Sequence, residues 1–309
     1  VNLLLIETNK NAEVLKSKLK KQLKIFEVEG IKLKEEVINK EVSNHIKYSV
    51  EIESVKKYPI SDFIALFKDH IAKGLWEYIQ AVEEINILRK MIDKEYYYFD
   101  ERERLEIERN AINILKEENR VTLLVSQEDY TRRSKVIKAI TEYLSNESQI
   151  NIDGFITFRL KDYYLELEET IEKAVEDFLM DKEYNEFIKL LKYFVDIQDS
   201  KIELIHVVLE EDHSFKLYDF KNEEINNEYL REVANELSNS NFLSYEDLLM
   251  SSLITMAPEK IIIHQVGRLR YTTDIIKTIL RVFTSKVMVC NGCEWCSVEA
   301  NLETNVNKE

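Results

Sequence analysis

The chain has 309 residues, 45% hydrophobic and 33% charged, and a formal net charge of −15. This mixture suits a globular protein with enough apolar material for more than one domain, and its acidity argues against non-specific binding to nucleic acid or to an anionic membrane surface. With only 5 glycines and 2 prolines, and neither GxGxxG nor GxxxxGKS/T, the composition disfavours a Rossmann or P-loop nucleotide enzyme and favours long helices.

NLLLIE, at the start, reads as a buried strand. The next segment carries Val14, Leu15, Leu19, Leu23 and Phe26 at helical spacing. GIKLKEEVI and HIKYSVEIE alternate apolar and polar residues, as half-buried strands do. Pro59 closes this segment. Phe63, Phe67, Ile71, Leu75, Ile79, Val82 and Ile85 then recur every three or four residues, which predicts one helix face, with Ser61 and Asp62 as its N-cap. Further helices are expected over Asp100–Glu118 and from Arg132 to Leu144. Two more carry Phe155, Phe158, Leu165, Ile171, Val175 and Phe178, then Tyr184, Phe187, Leu191 and Phe194. SNESQ reads as a helix–helix connection.

The pattern changes again near Asp199. KIELIHVVLE and FKLYDF read as a strand pair joined by EDHS. Helices are expected over Asn226–Leu237 and Tyr245–Met256, followed by a strand KIIIH, a helix DIIKTILRVF and a strand KVMVC. That last β-α-β unit implies two parallel strands. The fold class is therefore mixed α+β, in four segments: 1–58 small α/β, 60–200 helical, 201–298 α/β, and 299–309 a disordered tail. The two α/β pieces are open to sharing one sheet.

All three cysteines lie in CNGCEWC, as Cys290, Cys293 and Cys296. Cys-x2-Cys spacing forms a tight knuckle that brings two thiolates to one metal, and three thiolates leave one tetrahedral position to fill. KIIIH and KVMVC end at the same edge of the expected sheet. If these strands are neighbours, about 4.8 Å apart, His264 reaches the cluster and completes a Cys3His zinc site. An iron–sulfur cluster is the alternative, although the ferredoxin run Cys-x2-Cys-x2-Cys-x3-Cys-Pro fails at Ala300 and Asn301. CNGC and CEWC are also Cys-x-x-Cys pairs of the redox kind, with Glu294 opposing thiolate formation. Chemically silent thiols are the plain alternative.

HQVGRLRYTTD is a basic loop between a strand and a helix. Gly267 permits close backbone approach, Arg268 and Arg270 suit an anion, and Thr272 or Thr273 suits the cap of the following helix. The competing reading pairs both arginines with surface carboxylates. Tyr96, Tyr97, Tyr98 and Phe99 read as core at a helix junction, with docking of a partner as the alternative, Arg132 and Arg133 as a solvated face, and His206 as a satisfied core histidine. His45, His70 and His213 have no spacing partner. No Ser-His-Asp pattern and no HExxH occurs.

FITFRLKDYYLELEETIEKAVEDFLMDKEYNEFIKLLKYFVDIQ, SYEDLLMSSLITMAPEKIIIH and CNGCEWC together resemble the YtxC-like family of sporulation proteins from endospore-forming bacteria, most strongly over 154–298. The resemblance implies endospore formation as the setting; it supplies no reaction and no catalytic residues. The expected function is a non-enzymatic, cytoplasmic interaction or regulatory factor with a protein partner, no nucleic acid and no membrane, and a metal-binding cysteine cluster. The alternative is a redox-responsive or iron–sulfur protein or enzyme with its site at the C-terminal strand edge.

Overall fold

The structure is a computed structural model, and it describes residues 1–39, 43–124, 131–210, 214–225, 245–265 and 274–296. The expected helix over Asn226–Leu237, the loop carrying Gly267, Arg268, Arg270 and Thr272, and the tail 299–309 lie outside the described residues. The chain divides into two compact units, Val1–Met180 and Asp181–Glu309. This division does not follow the segment boundaries read from the sequence, because helices of the middle share one hydrophobic core with the N-terminal strands.

In the first unit, β1 (Asn2–Thr8) leads through helix α1 (Ala12–Val28) to β2 (Leu33–Asn39) and β3 (Asn44–Val50). The sheet order is β2-β3-β1-β4. β4 (Gln149–Asn151) pairs in parallel with β1, and the other pairings are antiparallel. SNESQ is therefore not only a connector: it runs into the fourth strand. Three residues are too few for period-two alternation to show. The two α/β pieces do not share a sheet; each unit has its own four-stranded sheet.

Helix α1 buries Leu15, Leu19, Leu23 and Phe26 of the face its spacing predicts, while Val14 at the edge of that face is exposed. Gly30, at φ 80, then turns the chain with the left-handed residue that glycine adopts without strain. Helix α2 (Ile60–Tyr78) begins after Pro59, and neither Ser61 nor Asp62 caps it. It approaches α1 closely at Gly74, where an added Cβ would stand 2.9 Å from Leu19 Cδ2 and 3.3 Å from Leu19 Cα.

A π-helical turn, Ile79–Glu83, joins α2 to α3 (Glu84–Glu95). The wider turn resets the helix phase. Val82 and Ile85 are only partly buried, while Ile87, Leu88 and Ile92 take the core positions and Glu83 and Glu84 turn inward.

A capping box opens α4 (Glu101–Leu124): the Asp100 N–H donates to Glu103 Oε2 at 2.9 Å, and the Glu103 N–H to Asp100 Oδ1 at 2.9 Å. Phe99 is buried, but Tyr97 and Tyr98 are exposed and not core. Helix α5 (Arg132–Asn146) is capped by Thr131 Oγ1, which accepts from the Ser134 N–H at 3.0 Å.

The Arg132 side chain is 8% exposed, so it does not belong to a solvated face. It lies 3.9 Å from Glu84 Oε2 and 3.7 Å from Glu118 Oε2, and the Tyr163 hydroxyl donates to Glu84 Oε2 at 2.6 Å. The buried Glu84 carboxylate draws the arginine inward, and nothing in the local sequence signals that. The first of the two expected helices is split: Phe155 and Phe158 lie in α6 (Ile152–Arg159), while Leu165 onward joins the second expected helix in a single helix α7 (Lys161–Ile197). Its 37 residues contain no glycine or proline to break it. The boundary between the two units falls within it.

The second unit holds β5 (Ile202–Leu209), β6 (Phe215–Tyr218), α8 (Tyr245–Met256), β7 (Pro258–Gln265), α9 (Asp274–Phe283) and β8 (Val287–Val289). The order is β6-β5-β7-β8. β5 and β6 are antiparallel, whereas β5, β7 and β8 run parallel. Ile205, Val207, Ile261, Ile263, Ile276, Ile279 and Phe283 form the centre of its core together with Leu253. The parallel strands deliver their carboxyl ends to one edge, where open α/β sheets place their sites.

Candidate metal centre

Strand β7 delivers His264 to that edge, and its neighbour β8 ends one residue before Cys290. The Cys290 N–H donates to Ile263 O at 2.8 Å, which continues the β7–β8 pairing and fixes the first cysteine beside His264. Gly292, at φ 137, turns the chain back in a conformation that L side chains rarely adopt, and its N–H lies 3.4 Å from Cys290 Sγ. A 3-10 turn, Glu294–Cys296, completes the knuckle, with the Cys296 N–H donating to Cys293 O at 3.0 Å.

The result is a compact group of four donors. One ligand atom each from His264, Cys290, Cys293 and Cys296 lie within 4.8 Å of one another. His264 Nδ1 is 3.2 Å from Cys293 Sγ and 3.7 Å from Cys296 Sγ, and the two sulfurs are 3.7 Å apart. His264 is only 4% exposed, while the cysteines lie at or near the surface. A group with a buried histidine and an accessible sulfur side can take up a metal ion from solvent.

The electrostatics keep the histidine neutral and split the thiols. Burial, helped by the neighbouring His206, pushes His264 down to about 4, so its ring is neutral at pH 7. Burial also pushes Cys296 up to about 11. Burial acts on Cys293 in the same sense, but hydrogen bonds from the Cys296 and Trp295 backbone and from the other two thiols hold it below its ordinary value.

Two flanking residues were not legible as site residues. His206, read from the sequence as core, has its Nδ1 3.0 Å from His264 Nε2. Trp295 packs edge-on against both imidazoles, at centroid distances of 4.6 Å to His206 and 4.8 Å to His264, and stacks on Tyr218 at 5.2 Å. The available signal was a histidine inside each of two apolar strands, IHVV and IIIH, but only strand register shows that they meet.

A model of the YtxC-like family matches residues 69–288. The chain belongs to the YtxC-like family. It is 24% identical over 214 residues to the uncharacterized protein YtxC of Bacillus subtilis (strain 168), an alignment covering 68% of this chain and 72% of that protein. No solved structure matches the chain. The YtxC-like match begins well before residue 154, where the sequence resemblance becomes strongest, and ends at 288, so Cys290, Cys293 and Cys296 lie past it. Among the described residues, no helix is long and apolar enough to cross a membrane.

Proposed function

We propose that the C-terminal unit carries a structural Cys3His zinc site, formed by His264, Cys290, Cys293 and Cys296, and that the protein acts as a non-enzymatic interaction factor in the cytoplasm during endospore formation. One observation carries the metal reading: four donors converge within 4.8 Å. Ligands around one zinc, at about 2.3 Å for sulfur and about 2.0–2.1 Å for nitrogen, lie about 3.5–3.8 Å from one another. Three of the six separations, those among His264, Cys293 and Cys296, are 3.2, 3.7 and 3.7 Å and close to those edges, and all six fall within 4.8 Å. A 4Fe–4S cluster binds each thiolate through a different iron atom and spreads the sulfurs farther apart.

Four protein ligands leave no coordination position for a substrate, which supports a structural role over a catalytic one. The ion would tie the segment after β8 to the carboxyl end of β7. That segment contributes little to the core, since Cys290, Cys293 and Cys296 are not buried, so the metal would supply stability that packing does not. The partner reading draws support from α7, where Phe187, Leu190, Tyr193 and Ile197 are exposed. The sporulation setting comes from the family resemblance.

A second reading has its own observation. Cys293 is held below its ordinary pKa, Cys296 is pushed up to about 11, and their sulfurs are 3.7 Å apart. That asymmetry suits a Cys-x2-Cys redox pair with Cys293 as the attacking thiol.

Elemental analysis with an absorption spectrum, on full-length protein purified without oxygen, tests both. Close to one zinc per chain and no colour supports the structural site. Iron with sulfide and a brown chromophore overturns it in favour of a cluster. Absence of metal, with Cys293 reacting fastest toward a disulfide reagent, favours the redox pair.

A further inference from the structure

We infer that His206 is the positioning residue of this centre: its Nδ1 accepts a hydrogen bond from the His264 Nε2–H and thereby turns His264 Nδ1 toward the thiolates. The inference rests on the metal reading above and adds a requirement to it. His264 is 4% exposed, so water is not at hand to satisfy the ring nitrogen that faces away from the sulfurs. A buried polar group without a partner is costly. His206 Nδ1, at 3.0 Å, is that partner.

Strand register brings the pair together. His206 is in register with Ile262 on the parallel neighbour β7, and His264 lies two residues beyond Ile262. Side chains two apart on a strand share a face, so both imidazoles project from the same side of the sheet. Their planes are tilted by 32° at a centroid distance of 5.2 Å. Trp295 closes on both rings from the cysteine segment, which keeps either ring from flipping freely.

With an ion bound to His264 Nδ1, this geometry fixes the tautomers. His264 Nδ1 points at Cys293 and Cys296 and must be unprotonated to bind an ion, so the His264 proton sits on Nε2. His206 accepts with Nδ1, so its own proton sits on Nε2. Metal-bound histidines are held in the same way elsewhere, by an acceptor on the second ring nitrogen; removing it typically costs about 10- to 100-fold in metal affinity. Here the acceptor is an imidazole on an adjacent strand, so β5 takes part in the site without supplying a ligand.

The test compares the wild-type chain with His206→Leu and His206→Asn. Leucine keeps bulk but cannot accept a hydrogen bond; the asparagine Oδ1 stands where histidine Nδ1 does and can. Zinc affinity is measured by competition with a chromophoric chelator, and cobalt(II) replaces zinc to read the ligand set from the visible spectrum. His206→Leu is expected to bind zinc about 10- to 100-fold more weakly and to change the cobalt spectrum, with His206→Asn restoring both toward wild type. Wild-type affinity and spectrum in His206→Leu overturn the inference while leaving the zinc site intact. Equal weakening in both variants also overturns it, since packing and not acceptance would then be what His206 supplies. A wild-type chain that binds neither zinc nor cobalt overturns the metal reading itself.

Discussion

His264 Nδ1 stands 3.2 Å from Cys293 Sγ, although 29 residues separate them in the chain. Helix α9 and strand β8 lie in that interval, and the contact exists only when the sheet has formed. A metal held there reads out the folding of the second unit.

Chelation provides the first consequence. If zinc bridges His264 and the cysteines, a strong chelator should lower the melting temperature of wild-type protein by several degrees, because a ligand bound only to the folded state stabilises it by mass action. Cys293→Ser should melt near the chelated value and respond little to chelator. Equal melting of wild type with and without chelator, measured by scanning calorimetry, contradicts this.

Tryptophan fluorescence follows the site directly. The chain has 2 tryptophans; Trp76 is buried in the first unit, and Trp295 packs on His206 and His264. Adding zinc to metal-free protein should therefore change the emission of Trp295 and leave that of Trp76 unaltered. Trp295→Phe should lose the signal change while still taking up zinc, as shown by elemental analysis.

Glu84 offers a pH dependence. Burial raises its carboxyl above the ordinary 4.5, against the opposing effects of the Tyr163 hydrogen bond and Arg132. Folded Glu84 thus keeps its proton to higher pH than unfolded Glu84. Between 4.5 and the raised folded value, the folded state binds more protons, and its stability falls as pH rises. Glu84→Gln cannot titrate. The stability of wild type relative to Glu84→Gln should be greatest below pH 4.5 and decline toward pH 7 in urea titrations; an advantage that grows with pH would reverse the assignment.

Gly74 tests the packing of α1 against α2. Alanine is favoured over glycine in a helix interior by about 1 kcal/mol, yet here its Cβ would lie 2.9 Å from Leu19 Cδ2 and 3.3 Å from Leu19 Cα. The second contact is with backbone, which cannot rotate away. Gly74→Ala should destabilise the protein by about 1–3 kcal/mol, the usual cost of overpacking, as measured by urea unfolding. A stabilised variant would mean that the helices part without cost.

The sequence by itself determined most of the element types and the donor residues of the cluster. The apolar spacing of Leu15, Leu19, Leu23 and Phe26, the alternation in HIKYSVEIE and the run of three cysteines are local patterns, and local periodicity is what secondary structure responds to. Tertiary structure alone decided which strands are neighbours, and so the meeting of His206 with His264, the recruitment of Gln149–Asn151 to β1 and the separation into two sheets. It also turned Arg132 inward toward Glu84. Each of these joins residues far apart in the chain, where pairing depends on the burial of whole faces and the satisfaction of buried polar groups, and neither quantity is written in any short stretch of sequence.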